Sequence, residues 1–447
     1  MPSESENALG LKITSKSLLM YAIPTIVMMI LSNIYDVVDS LFVANLVSIN
    51  ALSAVNMTAP ILDLVLAVGI MIATGGCAYV SRQMGKGDAE GARRNFSFLI
   101  SVSFSVSFVI SMAALVFSER IFDILGANET ILPLCIEYSI PIFVSIPFAM
   151  LGVILQMFFV ASGKPMFGLA LSFVGGILNV VLDLLFIGVF GMGLTGAAAA
   201  TCIGYCTQSV IAILYFLLKR NGTLYFVRPR WNTEALVKTC SNGMSEMTAM
   251  LSVSISAMVM NSILIAYSGS DGVAAAAIVM MMQTLFSAVY MGYLEGVAPV
   301  TSFNYGAENY ENLRKIYRTV RMNILIFSVI TFCAVLLFSK PLALLYASGS
   351  PDVMDLAVKG ILIMSPAFLI EGFNIFASSM FTALNDGLTS AAVSVSRTFV
   401  FLLIPLWVLP SFMGTDGVWL SMPVAEVCTL FVSAYFFSTK KKVYYYA

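Results

Sequence analysis

The sequence predicts an all-α integral membrane protein. Of its 447 residues, 59% are hydrophobic and only 11% are charged, whereas about 25% of the residues of a soluble domain are charged. Apolar runs of about 20 residues or more, enough for a helix to cross the bilayer core, recur along the whole chain. The short segments of alternating hydrophobicity that are typical of an outer-membrane barrel are missing. We therefore expect a bundle of transmembrane helices.

The apolar runs define twelve predicted spans, separated by short polar or glycine-containing segments. The first span follows a polar stretch without a small-residue cleavage site, so we expect it to be retained and not removed as a signal peptide. In chain order, the spans cover residues 16–45, 51–81, 95–118, 131–161, 167–190, 194–218, 235–267, 272–302, 316–338, 356–383, 388–411 and 415–438.

The basic residues predict the orientation of the bundle. The chain has 23 Lys and Arg residues, and all but four lie at the ends of spans or in loops on one side. The exceptions are Arg120, Lys340 and Lys359 on the opposite side and Arg397 within a span. By the positive-inside rule, we expect a multi-pass protein of the cytoplasmic membrane with both termini in the cytoplasm.

The second half of the sequence repeats the first. SRQMGKGDAEGARR aligns with TSFNYGAENYENLRK when Gly85 is set on Gly306, and GLTGAAAA falls on GTDGVWLS at the same offset. One offset held across separated loops predicts an internal duplication. Six spans per copy is an even number, so the copies have the same orientation and form a parallel repeat. We expect two pseudo-symmetric six-helix lobes, residues 1–220 and 234–447, joined by a basic linker at 221–233.

Composition excludes several classes of function. A net charge of −1 leaves no electrostatic footprint for nucleic acid. Seven cysteines without a CxxC pair favour neither a disulfide framework nor a zinc site. The chain contains no histidine, so any proton chemistry must use carboxylates. We expect no cofactor and no metal, with the possible exception of Na⁺.

Polar residues inside the first-half spans are the main candidates for a site. An aspartate at a helix centre costs about 2.5 to 3.5 kcal/mol on insertion, so it needs a partner, a proton or a water-filled cavity. Asp36 and Asp39 lie three residues apart on one face of span 1, and Asn179 and Asp183 lie four apart on span 5. With Thr201 of span 6, these groups suit either a proton site or a Na⁺ site. The alternative is a set of structural hydrogen bonds between helices.

The second half carries its own polar set, in spans 7, 8, 10, 11 and 12. An arginine among glutamates predicts an ion pair that fixes helix packing, here Arg397 with Glu426 or Glu246. Glu295 or Glu246 could instead bind a substrate cation in a central cleft. Asp63, in span 2, and Tyr35, which precedes the two span-1 aspartates, are further substrate-binding candidates. The full second-half set is Glu246, Glu295, Glu371, Arg397 and Glu426.

Three motifs, YDVVDSLFV, NVVLDLLFIGVFGMGLTGAAAAT and VAPVTSFNYGAENYENLRK, resemble those of the multidrug and toxic compound extrusion (MATE) family, close to its MepA-like bacterial branch. The resemblance covers essentially the whole chain. It implies twelve helices in two six-helix lobes around a central cleft. It also implies a coupling site for H⁺ or Na⁺ formed by Asp39, Asn179, Asp183 and Thr201. Asp36 departs from the family pattern, which often has asparagine there.

The predicted function is secondary active antiport: a monomeric carrier exports small organic cations in exchange for H⁺ or Na⁺ by alternating access. The same fold could instead export an endogenous metabolite or a lipid-linked precursor. A more remote alternative is a Mg²⁺-dependent intramembrane prenyltransferase, because the spacing of Asp36 and Asp39 resembles one of its two aspartate-rich motifs. The second motif and its basic partners are missing, so we do not expect an enzyme.

Overall fold

The computed structural model describes residues 9–10, 12–347 and 350–446, apart from the side chains of 36–37, 40–41, 44–45, 49, 342 and 345–347. Within the described residues, the first half forms six long helices and a short one, Ser118–Ile124, after the third. The long helices are α1 (Ser15–Leu46), α2 (Ile49–Gly85), α3 (Ala89–Val116), α4 (Leu132–Ala161), α5 (Pro165–Asp183, continued by a π-helical segment, Leu184–Val189) and α6 (Gly193–Leu218).

The second half also forms six long helices within the described residues. An unbroken run of helix, Thr233–Gly306, is 74 residues long, about 110 Å at 1.5 Å per residue and far longer than one bilayer crossing. Gly269 divides it, because its backbone is not helical (φ 59°, ψ −149°). The helices are α7 (233–268), α8 (270–306), α9 (Tyr310–Ala347), α10 (Pro351–Ala383, with one 3₁₀ turn), α11 (Gly387–Met413, with a π-helical segment, Ser396–Val400) and α12 (Thr415–Tyr444).

The predicted fold class and the twelve spans are confirmed. In the part of the chain that the structure describes, eleven helical runs are long and apolar enough to cross a membrane, and the division at Gly269 makes twelve. The helices extend beyond the predicted spans; α9 begins at Tyr310 and ends at Ala347, whereas the apolar pattern predicted 316–338. Hydrophobicity marks only the part of a helix inside the hydrocarbon, and the backbone hydrogen bonds continue past it.

The two halves repeat each other in backbone detail at the offset that pairs Gly85 with Gly306. Gly87 and Glu308, which match at that offset, both have positive φ, 80° and 55°. The next residues also match, because the side chains of Asp88 and Asn309 each accept a hydrogen bond from a backbone N–H three residues on, at 2.9 and 3.0 Å. Glu308 therefore adopts a left-handed conformation, uncommon for a side-chain-bearing residue, at the position where the first copy has glycine.

The halves pack against each other at one end of the bundle, which we call the basic end because its loops include Lys86, Lys164, Lys219 and Lys315. There α2 crosses α8 at Gly85 and Gly306. A Cβ built on Gly85 would lie 2.0 Å from the carbonyl oxygen of Phe303, and one built on Gly306 would lie 2.0 Å from that of Arg82. Only glycine permits two backbones to approach so closely. This glycine crossing joins the halves at the basic end.

Candidate functional site

The first candidate site lies where α5 changes from α-helical to π-helical geometry. Asp183 is the last α-helical residue before the π-helical segment Leu184–Val189. At the end of this segment, Phe190 N donates to the carbonyl oxygen of Leu185, five residues back, at 2.9 Å. Such wide turns occur often at functional sites. The side chain of Asp183 is fully buried, and no hydrogen-bond donor among the described groups reaches either of its carboxyl oxygens.

Asp39 of α1 faces Asp183 from the neighbouring helix. Their carboxyl groups lie within hydrogen-bonding reach of each other, so the two can share one proton. Asp39 Oδ1 is also buried and has no other partner among the described atoms. The structure thus brings together the two aspartates that the sequence placed on separate spans. Two buried carboxylates without a cation are unfavourable, so the pair needs a proton or a positive ion.

Asn179 and Thr201 lie beside this aspartate pair. Asn179 Nδ2, one turn before Asp183 on α5, donates to Thr201 Oγ1 of α6 at 3.3 Å, and the Thr201 hydroxyl donates to the carbonyl oxygen of Ala197 at 3.1 Å. The structure describes no group of three or more His, Cys, Asp or Glu side chains that could hold a metal. A Na⁺ ion would therefore need the oxygens of Asn179 and Thr201 in addition to the two aspartates. The side chain of Asp36 lies outside the described residues.

Two aromatic side chains lie on the helices around the aspartate pair. Tyr138 of α4 is buried and interacts electrostatically with both Asp39 and Asp183; the sequence analysis missed it, because an isolated tyrosine in an apolar span carries no distinguishing pattern. Tyr35 packs on α5 at Gly176, where a Cβ would lie 2.0 Å from Cε2 of the ring. Its hydroxyl is buried without a partner among the described groups. Gly176 therefore provides the space in which Tyr35 sits.

A second polar cluster lies in the other half around Arg397, within the π-helical segment of α11. Arg397 Nη2 donates to Glu426 Oε1 at 2.5 Å and to Glu371 Oε1 at 3.1 Å. Both glutamates are buried, whereas the arginine side chain is 20% exposed. Asn374 Nδ2 donates to Glu426 Oε2 at 2.7 Å. Glu246, the other partner considered for Arg397, forms no ion pair with it among the described contacts.

One cation in this cluster faces two carboxylates. Glu371 Oε1 also accepts from Ser287 Oγ at 2.8 Å, but Glu371 Oε2 is buried without a partner among the described atoms. Glu371 was part of the second-half polar set, but its contact with Arg397 was not predicted. An arrangement of this kind fixes α10, α11 and α12 relative to one another, because loss of Arg397 would leave two buried carboxylates without a cation.

The remaining acidic candidates lie near the contact between the halves. Ser254 of α7 donates to Asp63 Oδ2 of α2 at 3.2 Å, a hydrogen bond that joins the halves inside the bundle. Glu246 and Glu295, on α7 and α8, interact electrostatically with each other. Glu295 Oε2 is buried and has no hydrogen-bond partner within the described part of the chain. These three carboxylates are separate from the Asp39 and Asp183 pair.

Comparison with known proteins identifies the family. The MatE family model matches residues 24–185 and, a second time, residues 247–408. The chain belongs to the MatE family. The two matches each cover the greater part of one half, so they also confirm the internal duplication. The backbone of this MatE protein shows the same repeat, because Gly87 and Glu308 both have positive φ. The predicted resemblance is therefore confirmed.

Similar proteins match over nearly the full length of this MatE protein. It is 26% identical over 423 residues to the Multidrug export protein MepA of Staphylococcus haemolyticus, covering 94% of this chain and 92% of the relative. It is 25% identical over 420 residues to the protein of that name from Staphylococcus saprophyticus, covering 93% and 92%. The crystal structure of a MATE protein in complex with MaL6 shares the fold, with a TM-score of 0.93, 20% identity and 99% of each chain covered.

The names of these relatives also show whether the chain belongs to a class of enzymes or of transport proteins. The relatives are export proteins and not enzymes, which confirms the prediction that this MatE protein is not an enzyme and removes the prenyltransferase alternative. With eleven apolar helical runs among the described residues, one of them divided at Gly269, the chain is a multi-pass membrane protein.

Proposed function

We propose that this protein is a secondary active antiporter, which exports cationic amphipathic compounds in exchange for H⁺ or Na⁺ by alternating access. The observation that carries the proposal is the aspartate pair: Asp183 is fully buried, no donor among the described groups hydrogen-bonds its oxygens, and Asp39 faces it from another helix. The names of the relatives support an export function.

A coupling site must bind its ion reversibly, and the pair has the features for this. Its carboxylates come from different helices, α1 and α5, so a bound ion holds the two helices together and its release lets them separate. The π-helical segment that follows Asp183 adds a place where α5 can change shape. The ion shifts the protein between two states by no more than the difference in its affinity for them. H⁺ and Na⁺ both fit, because Asn179 and Thr201 supply neutral oxygens next to the carboxylates.

Alternating access also requires that the basic end opens. We propose that residues 1–220 and 234–447 move as two lobes about the linker at 221–233, in a monomer of the bacterial cytoplasmic membrane whose two termini are cytoplasmic. In this orientation, the glycine crossing of Gly85 and Gly306 closes the cytoplasmic side. The state described here would then take up the coupling ion from the opposite side.

The substrate would bind between the lobes. Asp63, Glu246 and Glu295 are carboxylates near the contact of the two halves, none of which forms an ion pair within the described residues. Such groups attract an organic cation, and the ring of Tyr35 offers a face for cation–π contact. We propose these four residues as substrate ligands.

The test is transport in proteoliposomes that contain the purified protein. Efflux of a cationic dye is measured first under an imposed pH gradient and then under an imposed Na⁺ gradient. The wild type should respond to one of them, which identifies the coupling ion. Asp39→Asn and Asp183→Asn should each remove the response, because either change leaves a neutral amide where the ion binds.

Asp123→Asn is the matched control, because Asp123 is exposed on the short helix after α3. It should transport as the wild type does. Size-exclusion chromatography shows whether each variant is folded. Full gradient-driven efflux by folded Asp183→Asn would disprove the coupling site, and a wild type that exports no dye under either gradient would disprove the cationic substrate class.

A further inference from the structure

A groove of about 380 Å³ lies between α9 and α12 on the second half, toward the basic end. Both helices pack against α10, which forms the floor with Phe373 and Phe376. The volume is at the lower end of the range of about 300 to 1,000 Å³ found for small-molecule sites. It belongs to neither polar cluster described above.

The chemistry of the groove changes along its length. On α12 the lining residues Leu430, Phe437 and Lys441 follow one helix face, so at 1.5 Å per residue the groove runs about 16 Å from its apolar end to its charged end. On α9 the lining residues Tyr317 and Arg321 lie one turn apart. Lys441 lies at the end of the groove nearest the basic end, and Arg321, one turn deeper than Tyr317, turns its guanidinium back over that ring, with Cζ 5.8 Å from the ring centroid.

The positive charge of each of these side chains is available to an anionic ligand. Both side chains are exposed, and neither forms an ion pair with any residue that the structure describes; the neighbouring Lys440, in contrast, pairs with Asp386 at 3.1 Å. The residues next to the groove are exposed and apolar, with Met322 of α9 57% and Phe431 of α12 72% accessible. In a membrane protein, exposed apolar residues of this kind contact lipid, so the groove opens to the bilayer.

We propose that this groove binds one anionic phospholipid. The phosphate lies between Arg321 and Lys441, and an acyl chain lies along Phe437 toward Leu430. The depth agrees with this assignment, because the two cations are near the basic end, where lipid headgroups lie, and long basic side chains reach the headgroup level from there. Basic pockets between transmembrane helices on the cytoplasmic side are suited to anionic headgroups. The proposal does not depend on the antiport mechanism.

The lipid would also contact the buried network of the second half. Ser433 lines the groove, and its hydroxyl donates to Asn374 Oδ1 at 2.9 Å. Asn374 in turn donates to Glu426, the partner of Arg397. An acyl chain in the groove therefore lies two hydrogen bonds away from the Arg397 cluster and shields it from the bilayer. We expect the bound lipid to stabilise the second half.

Native mass spectrometry of the purified protein tests the proposal by titration with phosphatidylglycerol and, separately, with phosphatidylcholine. Phosphatidylglycerol should add one saturable equivalent and bind more tightly than the zwitterionic lipid. The double variant Arg321→Ala, Lys441→Ala should weaken this binding by about tenfold or more. Ala434→Trp, which keeps both charges but fills the groove, should weaken it as well.

The control is Arg220→Ala, Arg228→Ala, which removes two exposed cations from the basic end of the first half and should leave binding unchanged. Equal binding of the two lipids would overturn the proposal, as would an equal effect of the two double variants. Unchanged binding by Ala434→Trp would show that the cations attract lipid without a groove site, and this too would overturn it. Thermal unfolding of each variant without added lipid shows which of them are folded.

Discussion

The guanidinium of Arg397 donates two hydrogen bonds to a single oxygen, Glu426 Oε1, from Nε at 2.8 Å and from Nη2 at 2.5 Å. Arg397→Gln would leave Glu426 and Glu371 buried together without a cation. Breaking a buried ion pair in this way costs about 3 to 5 kcal/mol. We expect a clearly lower midpoint of thermal unfolding for the detergent-solubilised variant.

A second ion pair provides the comparison for this variant. Lys359 contacts Asp416 at 2.7 Å, but the lysine side chain is 57% exposed, and exposed pairs contribute about 0 to 1 kcal/mol. Lys359→Gln should therefore change the unfolding midpoint little. If both variants lowered the midpoint equally, the Arg397 cluster would have no special role in stability.

The glycine crossing makes a prediction about closure of the basic end. Gly306→Ala places a methyl group against the carbonyl oxygen of Arg82, at 2.0 Å without movement, so the halves must separate there. Cys77 of α2 is 3% exposed and lies between the contacts of Gly75 with α7 and of Gly85 with α8. Modification of Cys77 by N-ethylmaleimide, measured by peptide mass spectrometry, should become several-fold faster.

The measurement of Cys77 labelling has two controls. Gly222→Ala should leave the rate unchanged, because the nearest atom to the added Cβ is 3.5 Å away. Cys135, fully buried in the first half, should react equally slowly in all variants. Unchanged labelling of Cys77 in Gly306→Ala would mean that the crossing does not close the basic end.

The contact between Gly176 and Tyr35 predicts a compensating pair of substitutions. Gly176→Ala forces the tyrosine ring out of its place, and overpacking of this kind costs about 1 to 3 kcal/mol. Tyr35→Ala removes the obstacle, so the double variant should be more stable than Gly176→Ala alone. Thermal unfolding of the four proteins in the cycle gives the interaction energy. Additive losses would show that the two residues do not contact each other.

Asp386 lies in the loop between α10 and α11. We expect its carboxylate to stabilise the fold by the same amount at pH 5 and at pH 8. Burial opposes the ionised form, but hydrogen bonds from Thr389, Tyr444 and Lys440 outweigh it and lower the pKa of Asp386 below its ordinary value of 3.8. A carboxylate with a lowered pKa stabilises the fold at every pH above its unfolded value, and this stabilisation is lost only as the pH falls through the folded pKa. Asp386→Ala should therefore be destabilised equally at pH 8 and pH 5.

The magnitude follows from the contacts that are lost. Asp386 Oδ1 accepts from Thr389 N at 3.3 Å, a helix cap whose removal costs about 1 kcal/mol. Asp386→Asn keeps an acceptor for this cap and loses the pairing with Lys440, so it should be the milder variant. A penalty for Asp386→Ala that is smaller at pH 5 than at pH 8 would show that the carboxyl is protonated in that range.

Much of the fold follows from local patterns in the sequence. Length and hydropathy predict the twelve spans, and the repeated loop sequence predicts that Gly85 and Gly306 are equivalent. The backbone agrees with this equivalence, because Gly87 and Glu308 both have positive φ. The spacing of Asn179 and Asp183 predicts that they share a helix face. These properties depend on neighbouring residues along the chain, so one sequence is sufficient to detect them.

The contacts between helices could be predicted only in part. Hydropathy gives the faces of a helix but not its neighbours. The sequence therefore predicted an ion pair of Arg397 with Glu426 or Glu246, but neither the contact of Arg397 with Glu371 nor the interaction of Tyr138 with the aspartate pair. The space for Tyr35 depends on a single glycine of another helix. Such features arise from the relative position of whole helices, which is set by the sum of many weak packing contacts.

The crossing of α2 and α8 has the form of an isologous interface, in which the same patch meets itself across a twofold axis. Gly85 contacts the turn at Phe303, and Gly306 contacts the corresponding turn at Arg82. Self-complementarity of this kind is what joins the subunits of a twofold dimer. A six-helix ancestor with one such glycine could therefore have paired with its own copy before gene fusion linked the two.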